Sequence, residues 1–221
     1  MTTMIKRLLG LGEGRSPSPE TPIDEAGFVV FDTELTGLDP RRDSIVSVGA
    51  LRMTGGRIDV GRPFYRVVMP RTELTGKSIV VHGITPGETE GCPDMKALLP
   101  EFLEFCGDRI LVGHFVSLDM GFVDSEMKRT MGRTLPNHAV DTISLYRTIR
   151  HSDSDRCAFY DDRSEDTGLL SLAERYGINR EEAHNALGDA YMTAQLFQRF
   201  LSILQGRGIR TAGDLLRAGK P

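Results

Sequence analysis

A short, uninterrupted apolar segment, residues 28–31 (FVVF), constrains the fold of this chain more than any other feature. In an extended strand, successive side chains point to opposite faces, so a strand without polar residues must be covered on both faces. Such strands are typical of the centre of a sheet that has helices on both sides. The segment therefore predicts an α/β fold with this strand near the middle of its sheet.

The patterns on either side of this strand predict a mixed sheet. Residues 44–53 and 57–69 have strand patterns and are joined by Gly55 and Gly56, which favours an antiparallel meander. Further along the chain, helical and strand patterns alternate, as they do in parallel βα units. Helices are predicted at 93–106, where Pro100 should kink or divide the helix, and at 118–131, 169–176 and 186–204; short strands are predicted at 109–113 and from 140 onward. We expect a mixed five-stranded sheet, an antiparallel meander plus parallel strands, flanked by helices.

The length of 221 residues predicts one domain with short flanking segments. Residues 1–25, which contain alternating serines and prolines, are expected to be a flexible lead-in. Residues 26–205 are expected to form the domain, and residues 206–221 a short C-terminal tail. Residues 151–166 are charged and aperiodic, which indicates a surface loop or a partly disordered insertion.

Composition excludes several classes of protein. The apolar runs are shorter than the ~20 residues that cross a bilayer, so no membrane association is expected. The three cysteines have no paired spacing, which argues against a disulfide framework or a zinc site and favours a reducing, cytoplasmic location. The net charge of −4 argues against a protein that holds nucleic acid by a basic surface alone.

Two carboxylates follow the apolar strand directly. Asp32 and Glu34 are separated by one residue, so on an extended chain their side chains project to the same face. Carboxylates this close repel each other unless a cation lies between them. Hard divalent cations such as Mg²⁺ and Mn²⁺ prefer oxygen ligands of this kind. The alternative interpretation is an ordinary acidic strand end at the solvent boundary.

Two further acids and a histidine are candidates for the same site. Asp119 lies early in a predicted helix, where favourable interaction with the helix dipole is the alternative explanation. Asp189 shares the inward face of a predicted helix with Leu196 and Phe200, and an unpaired acid on such a face is costly. His184 can reach the same site only from the loop before this helix; otherwise it is a cap or a surface residue.

Three segments together resemble the motifs of a known family. FDTELTGL (31–38), GHFVSLDMGF (113–122) and HNALGDA (184–190) resemble the DnaQ-like DEDDh 3′–5′ exonucleases, which are related to the proofreading epsilon subunit of bacterial DNA polymerase III. The segments VHGIT (81–85) and VDT (140–142) also match, and the resemblance covers residues 27–204. One position departs from the family, since Phe115 stands where an asparagine usually follows the histidine of the second motif.

The resemblance implies an RNase H-like fold and a two-metal phosphodiesterase site. In this family, Asp32, Glu34, Asp119 and Asp189 would hold two Mg²⁺ or Mn²⁺ ions, and His184 would be the general base. Such ions activate the attacking water and stabilise the leaving 3′ oxygen. The residues expected to bind the terminal nucleotide are Thr33, Leu35, Thr36, Leu38, His82 and His114. For Thr36 and Leu38, ordinary loop packing is the alternative.

The implied substrate is the 3′ end of single-stranded or frayed DNA, from which nucleoside 5′-monophosphates would be released. One alternative is a 3′–5′ exoribonuclease acting on short RNA or tRNA ends, because the same kind of site serves both sugars. Another is a polymerase-associated binding module, and DNA polymerase subunits are expected partners. Both a monomer and a homodimer are compatible with the sequence. Bound cations would reconcile the acidic net charge with a polyanionic substrate.

Overall fold

The computed structural model of the protein describes residues 17–154, 166–179 and 185–221. A five-stranded sheet with the order β3-β2-β1-β4-β5 lies at its centre. The strands are β1 (Gly27–Leu35), β2 (Ile45–Thr54), β3 (Arg57–Val67), β4 (Ile110–Gly113) and β5 (Ala139–Asp141). Strands β1, β2 and β3 pair in antiparallel fashion, whereas β4 is parallel to both β1 and β5. The predicted mixed five-stranded sheet is therefore confirmed.

Helices cover both faces of this sheet. Those in the described part of the chain are α1 (Gly76–His82), α2 (Pro86–Thr89), α3 (Met95–Cys106), α4 (Val116–Met131), α5 (Thr142–Ser154), α6 (Leu169–Arg175), α7 (Ala186–Gln205) and α8 (Ala212–Ala218). Pro100 lies inside α3 but does not divide it. Its missing N–H removes one hydrogen bond of the helix, and the burial of the neighbouring Leu99 and Phe102 in the core offsets this loss. Of the charged segment 151–166, residues 151–154 continue α5, and residues 155–165 lie outside the described residues.

Strand β1 separates two apolar cores. Phe28 and Val30 belong to the core formed with α5, α6, α7 and α8, whereas Val29 and Phe31 belong to the core under α3 and α4. All four side chains are fully buried, as the sequence predicts for a central strand. The same alternation continues beyond Phe31 and directs the side chains of β1 alternately towards α7 and towards α4.

Segments expected to flank the domain pack onto it in the structure. In residues 206–221, predicted as a tail, helix α8 buries Ala212 and Leu215 in the α7-side core. The carbonyl of Gly219 accepts a hydrogen bond of 2.8 Å from the backbone N–H of Asp141, at the end of β5. Within the expected lead-in, Ile23 is buried in the same core. Apolar side chains from both ends of the chain thus complete this core. No helix in the described ranges is long and apolar enough to cross a bilayer.

Candidate active site

Three carboxylates converge at the C-terminal end of the central strand. Asp32 and Glu34 end β1 on its α7 side, and Asp189 lies in the first turn of α7. One oxygen from each of these three carboxylates lies within 4.8 Å of the other two. The structure thus brings together, from two distant parts of the sequence, three of the four acids that the sequence predicts to bind metal.

Helix α7 reaches β1 because a glycine stands in the neighbouring strand. Gly49 of β2 is the cross-strand partner of Asp32, and a β-carbon at Gly49 would lie 2.2 Å from the carbonyl carbon of Ala186. No side chain separates the start of α7 from the sheet at this point. The side chain of Asn185 caps the helix, accepting a hydrogen bond of 2.8 Å from the N–H of Gly188. Sheet contact and cap together fix the turn that carries Asp189.

The fourth acid, Asp119, approaches β1 from the other face. Its side chain is 5% exposed in α4, and its Oδ1 accepts hydrogen bonds from both the backbone N–H and the hydroxyl of Thr33. Thr33 lies between Asp32 and Glu34 and points to the α4 side, which explains this pairing. Asp119 is therefore held against the acidic strand end, although it is not part of the three-carboxylate group.

Burial and mutual repulsion both disfavour the charged form of these acids in the absence of cations. Burial raises the pKa of Asp32 well above its ordinary value, and the neighbouring Asp119, Asp189 and Glu34 act in the same direction. Burial likewise raises the pKa of Glu34 to about 7, with repulsion from Asp189 and Asp119 adding to it. Burial also raises the pKa of Asp119 to about 7, although the hydrogen bonds from Thr33 oppose this. A partly buried, acidic donor set with oxygen ligands alone fits a hard divalent cation.

The raised pKa values predict an unusual pH dependence of stability. The pKa of Glu34 is 4.5 in its ordinary state and about 7 in the folded, metal-free protein. The stabilisation from its protonation is therefore fully present below about pH 4.5 and is lost as the pH rises through about 7. In EDTA, we expect the free energy of unfolding of the parent to fall relative to that of Glu34→Gln as the pH rises over this interval. Mg²⁺ should remove the shift, and a difference that is constant with pH in EDTA would contradict the prediction.

The predicted general base is not among the described residues. His184 falls within residues 180–184, which lie outside the described ranges. The first residue of α7 is Ala186, so the sequence places His184 just before the helix, where a shared site with Asp189 requires it. Its role stays a prediction.

The loop after β1 is fixed by its own hydrogen bonds. The backbone N–H of Thr36 donates to the carbonyl of Ser44 at 2.9 Å, and its hydroxyl accepts from the N–H of Ser44 at 2.9 Å. Leu35 packs against the core on the α3 and α4 side, whereas Leu38 is 75% exposed. Of these three candidates for nucleotide binding, Leu38 is thus the one whose side chain is open to a ligand.

His82 ends α1 with an unused donor. Its Nδ1 accepts a hydrogen bond of 3.0 Å from the N–H of Ile84, so the neutral ring carries its proton on Nε2. In the described structure, this Nε2 is buried without a hydrogen-bond partner. The preceding residues Val80 and Val81 are 86% and 62% exposed. A buried donor beside exposed apolar side chains is suited to a ligand that is partly polar and partly apolar.

His114 has a different environment. Its Nε2 donates to the carbonyl of Thr167 at 2.9 Å, and its Nδ1 lies 2.9 Å from the hydroxyl of Thr142. Burial lowers the pKa of His114 to about 4, so the ring is neutral at physiological pH. Because both ring nitrogens are engaged within the protein, this geometry favours a role in positioning the loop that leads into α4.

Phe115 stands at the N-cap of α4 in a strained conformation. Its φ of 56° lies in the left-handed region, and among the described residues other than glycine it is the one with a positive φ. Asparagine adopts this conformation more easily than an aromatic residue does. We expect Phe115→Asn to raise the free energy of unfolding by about 1 kcal/mol, measured by urea denaturation. Phe115→Leu, which removes the ring but keeps the strain, is the control; equal or lower stability of the asparagine variant would refute the strain.

Comparison with known proteins identifies the family. A family model described as Exonuclease (RNase_T) matches residues 29–197. DNA polymerase III subunit epsilon of Aquifex aeolicus is 33% identical over 177 residues, which cover 80% of this chain and 81% of that protein. The chain belongs to this exonuclease family. The predicted membership of the DnaQ-like 3′–5′ exonucleases is thereby confirmed.

Other matches extend this comparison. A DNA polymerase III subunit epsilon-like protein of Rhodobacter capsulatus is 35% identical over 212 residues, which cover 95% of this chain and 28% of that protein. This exonuclease chain also spans 14% of the length of PolC-type DNA polymerase III relatives. Exonuclease X, solved in complex with 5′-overhanging duplex DNA, has a TM-score of 0.61 at 20% identity and covers 86% of this chain and 98% of its own. The RNase H-like fold is thus confirmed.

Two residues near the acids were missed by sequence reasoning. Gly49 is one, and a glycine inside a strand pattern is a known sign of close backbone approach. Tyr65 is the other: it pairs with Gly49 across the sheet, burial raises its pKa, and the negative charge of Glu34 acts in the same direction. Its proximity to Glu34 depends on the register between β2 and β3, which the sequence pattern leaves open.

Proposed function

We propose that this protein hydrolyses the 3′-terminal phosphodiester bond of single-stranded or frayed DNA and releases nucleoside 5′-monophosphates. The observation that carries the proposal is the convergence of Asp32, Glu34 and Asp189 within 4.8 Å at the end of the central strand. This cluster repels a polyanion unless cations neutralise it, so substrate binding and metal binding are coupled.

The acids of the site have a common role in this proposal. Asp32, Glu34 and Asp189, with Asp119 from the other face, would hold two Mg²⁺ or Mn²⁺ ions. When bound, such ions lower the pKa of water and neutralise the charge that develops on the phosphate. The hydroxyl and N–H of Thr33 both donate to Oδ1 of Asp119, and Oδ2 would be the ligand atom. Removal of any one acid should therefore weaken the site as a whole.

The remaining residues would accept the proton of the attacking water and bind the terminal nucleotide. His184 would accept the proton of the attacking water, whose oxygen bonds to phosphorus while the bond to the 3′ oxygen of the preceding nucleotide breaks. That 3′ oxygen takes up a proton and becomes the new strand end. The unpaired Nε2–H of His82 and the backbone of residues 33–36 would hold the terminal nucleotide. The exposed side chain of Leu38 would pack against its base.

The test is a digestion of matched DNA and RNA strands with a 3′-terminal label. We expect labelled nucleoside 5′-monophosphates from DNA in Mg²⁺ or Mn²⁺, and none in EDTA or with Asp189→Ala. Activity should rise from neutral to mildly alkaline pH, because His184 must be neutral to accept a proton. Degradation of RNA alone would favour the exoribonuclease alternative, which depends on contacts to the 2′-OH. Degradation of neither strand would reject the proposal.

A polymerase III assembly is the partner that the relatives favour. The epsilon subunit of Aquifex aeolicus and the PolC-type proteins are named for DNA polymerase III. We place the activity in the cytoplasm, because the three cysteines lack the paired spacing of a disulfide framework. Co-purification of the tagged chain with a polymerase subunit would support this association, and its absence at native expression would count against it.

A further inference from the structure

A basic groove lies at the end of the sheet away from the acids. It has a volume of about 440 Å³ and is lined by the β2–β3 hairpin and the start of β4. Four arginines line it: Arg52, Arg57, Arg62 and Arg109. Asp59 is the one acidic residue in its lining. In a chain with a net charge of −4, this is a concentration of positive charge.

The strand register places three of these arginines on the α3 side of the sheet. Arg52 pairs with Val29, which belongs to the core on that side. Arg57 pairs with Thr54, two residues along β2, and so shares this face. The stem of Arg109 lies against Gly27, where a β-carbon would be 3.2 Å from its Cγ. The arginines therefore converge from β2, from β3 and from the residue before β4, instead of being scattered over the surface.

An irregularity in β3 forms one wall of the groove. The ladder pairs Ala50 with Phe64 and Arg52 with Asp59, so residues 60–63 leave the pairing. This excursion carries Arg62, which reaches back to Asp59 in an exposed ion pair, and Val60, which is 61% exposed. The wall is thus partly apolar and partly cationic.

The positive charge in the groove is only partly compensated. Arg52 donates to the carbonyl of Phe105, which fixes its guanidinium without neutralising it. Burial lowers the pKa of Arg52, and repulsion from Arg109 and Arg62 acts in the same direction. Within the described ranges, Arg57 and Arg109 have no ion-pair partner. Guanidinium groups arranged in this way are suited to bidentate binding of phosphate oxygens.

We propose that this arginine groove binds backbone phosphates of the strand whose 3′ end lies at the acidic site. The proposal rests on the proposed function, because a polyanionic substrate is what makes phosphate the favoured occupant over an acidic peptide. Two divalent cations would only balance the four carboxylates, so the acidic site has no surplus positive charge with which to hold the rest of the strand. A distant cationic groove supplies the attraction that the site itself lacks.

The sheet sets the length of strand that can engage both places. Asp32 lies five residues along β1 from Gly27, which borders the groove. At ~3.3 Å per residue this is about 17 Å, the rise of about five nucleotides at ~3.4 Å each. Because the acids lie on the α7 side of the sheet and the groove on the α3 side, a strand that engages both must cover more than this distance. Strands of two or three nucleotides therefore reach the acids without reaching the groove.

The experiment compares Arg57→Glu/Arg62→Glu with a matched control. Both side chains are exposed, Arg62 at 79%, and Arg62 is ion-paired with the residue three positions before it. Arg199→Glu/Arg217→Glu makes the same change of charge elsewhere on the surface. Arg199 is exposed, like Arg57, and Arg217 is ion-paired with Asp214, three positions before it, as Arg62 is with Asp59. Thermal unfolding verifies that both variants fold.

We expect the groove variant to raise KM for a strand of about 20 nucleotides by about tenfold or more, with kcat and the KM for a trinucleotide unchanged. In EDTA, fluorescence anisotropy of the labelled long strand should show weaker binding and a salt slope reduced by about 1.4, the value for two lost contacts. The control variant should behave like the parent. Equal effects on long and short strands, or none, would overturn the groove proposal while hydrolysis by the parent still supports the proposed function.

Discussion

Asp32→Asn is expected to abolish hydrolysis and, in the same protein, to raise the stability of the metal-free state. Asp32 lies among Glu34, Asp119 and Asp189, and its pKa is raised by burial and by all three. Loss of a ligand that positions cations on the reacting phosphate removes several kcal/mol of transition-state stabilisation, a fall of ~10³-fold or more in rate. Removing one of four crowded carboxylates also removes repulsion that the folded protein bears without metal.

Calorimetric unfolding in EDTA and in Mg²⁺ separates these two effects. We expect the unfolding midpoint of Asp32→Asn in EDTA to exceed that of the parent by a few degrees, since ~1 kcal/mol moves the midpoint by ~2–4 °C in a chain of this size. Mg²⁺ should stabilise the parent and leave the variant unchanged. Asp108→Asn is the control, because Asp108 is exposed and away from the acids. A lower midpoint for Asp32→Asn in EDTA would show that Asp32 stabilises the fold and would refute the repulsion.

The parts of the fold that the sequence predicts are those specified by local pattern. Residues 28–31 predict the central strand because four apolar side chains in succession require cover on both faces. Helix α8 was missed, although Thr211 and Asp214 form a capping box, which is a local signal. Its residues share a core with Ile23, and the N–H of Ala212 donates to the carbonyl of Thr21, so its packing joins distant parts of the sequence that no local pattern contains. Helix α1 was missed because its exposed Val80 and Val81 break the amphipathic pattern.

In the site, too, local pattern predicts the direction of side chains, whereas contacts between distant residues are not predicted. The alternation of β1 correctly places Asp32 and Glu34 on one face, and the helical spacing of α7 places Asp189 towards the sheet. The pairing of Thr33 with Asp119 was not predicted, because it joins residues that lie 86 positions apart. The close approach of α7 depends on Gly49 being opposite Asp32, and strand register is fixed only when the sheet forms.

Gly49→Ala is expected to separate Asp189 from the other acids. A β-carbon at Gly49 would lie 2.2 Å from the carbonyl carbon of Ala186, 2.3 Å from its oxygen and 2.3 Å from the nitrogen of Leu187. All three are backbone atoms, so no side-chain rotation relieves the overlap. Either the first turn of α7 moves away from the sheet or β2 moves away from the helix, and both displace Asp189 relative to Asp32.

The cost appears in stability and in catalysis together. Overpacking of this kind lowers the free energy of unfolding by typically ~1–3 kcal/mol, which urea denaturation measures. A displacement of about 1 Å within a catalytic group lowers the rate by ~10²-fold, which the 3′-label assay measures. Titration with Mn²⁺ should show weaker binding as well, because the three carboxylates no longer converge. The fall in activity should therefore exceed what a smaller folded fraction explains.

Gly56→Ala is the matched control from the same hairpin. A β-carbon at Gly56 would meet only the side chain of Gln198, at an ordinary distance of 3.8 Å. This variant should retain the stability, Mn²⁺ affinity and activity of the parent. If Gly49→Ala loses stability but binds Mn²⁺ and cleaves DNA like the parent, then Gly49 serves packing alone and the position of Asp189 is fixed elsewhere. If both properties fall together, the acidic site depends on a residue that carries no functional group, because its contribution is to let helix and sheet backbones meet.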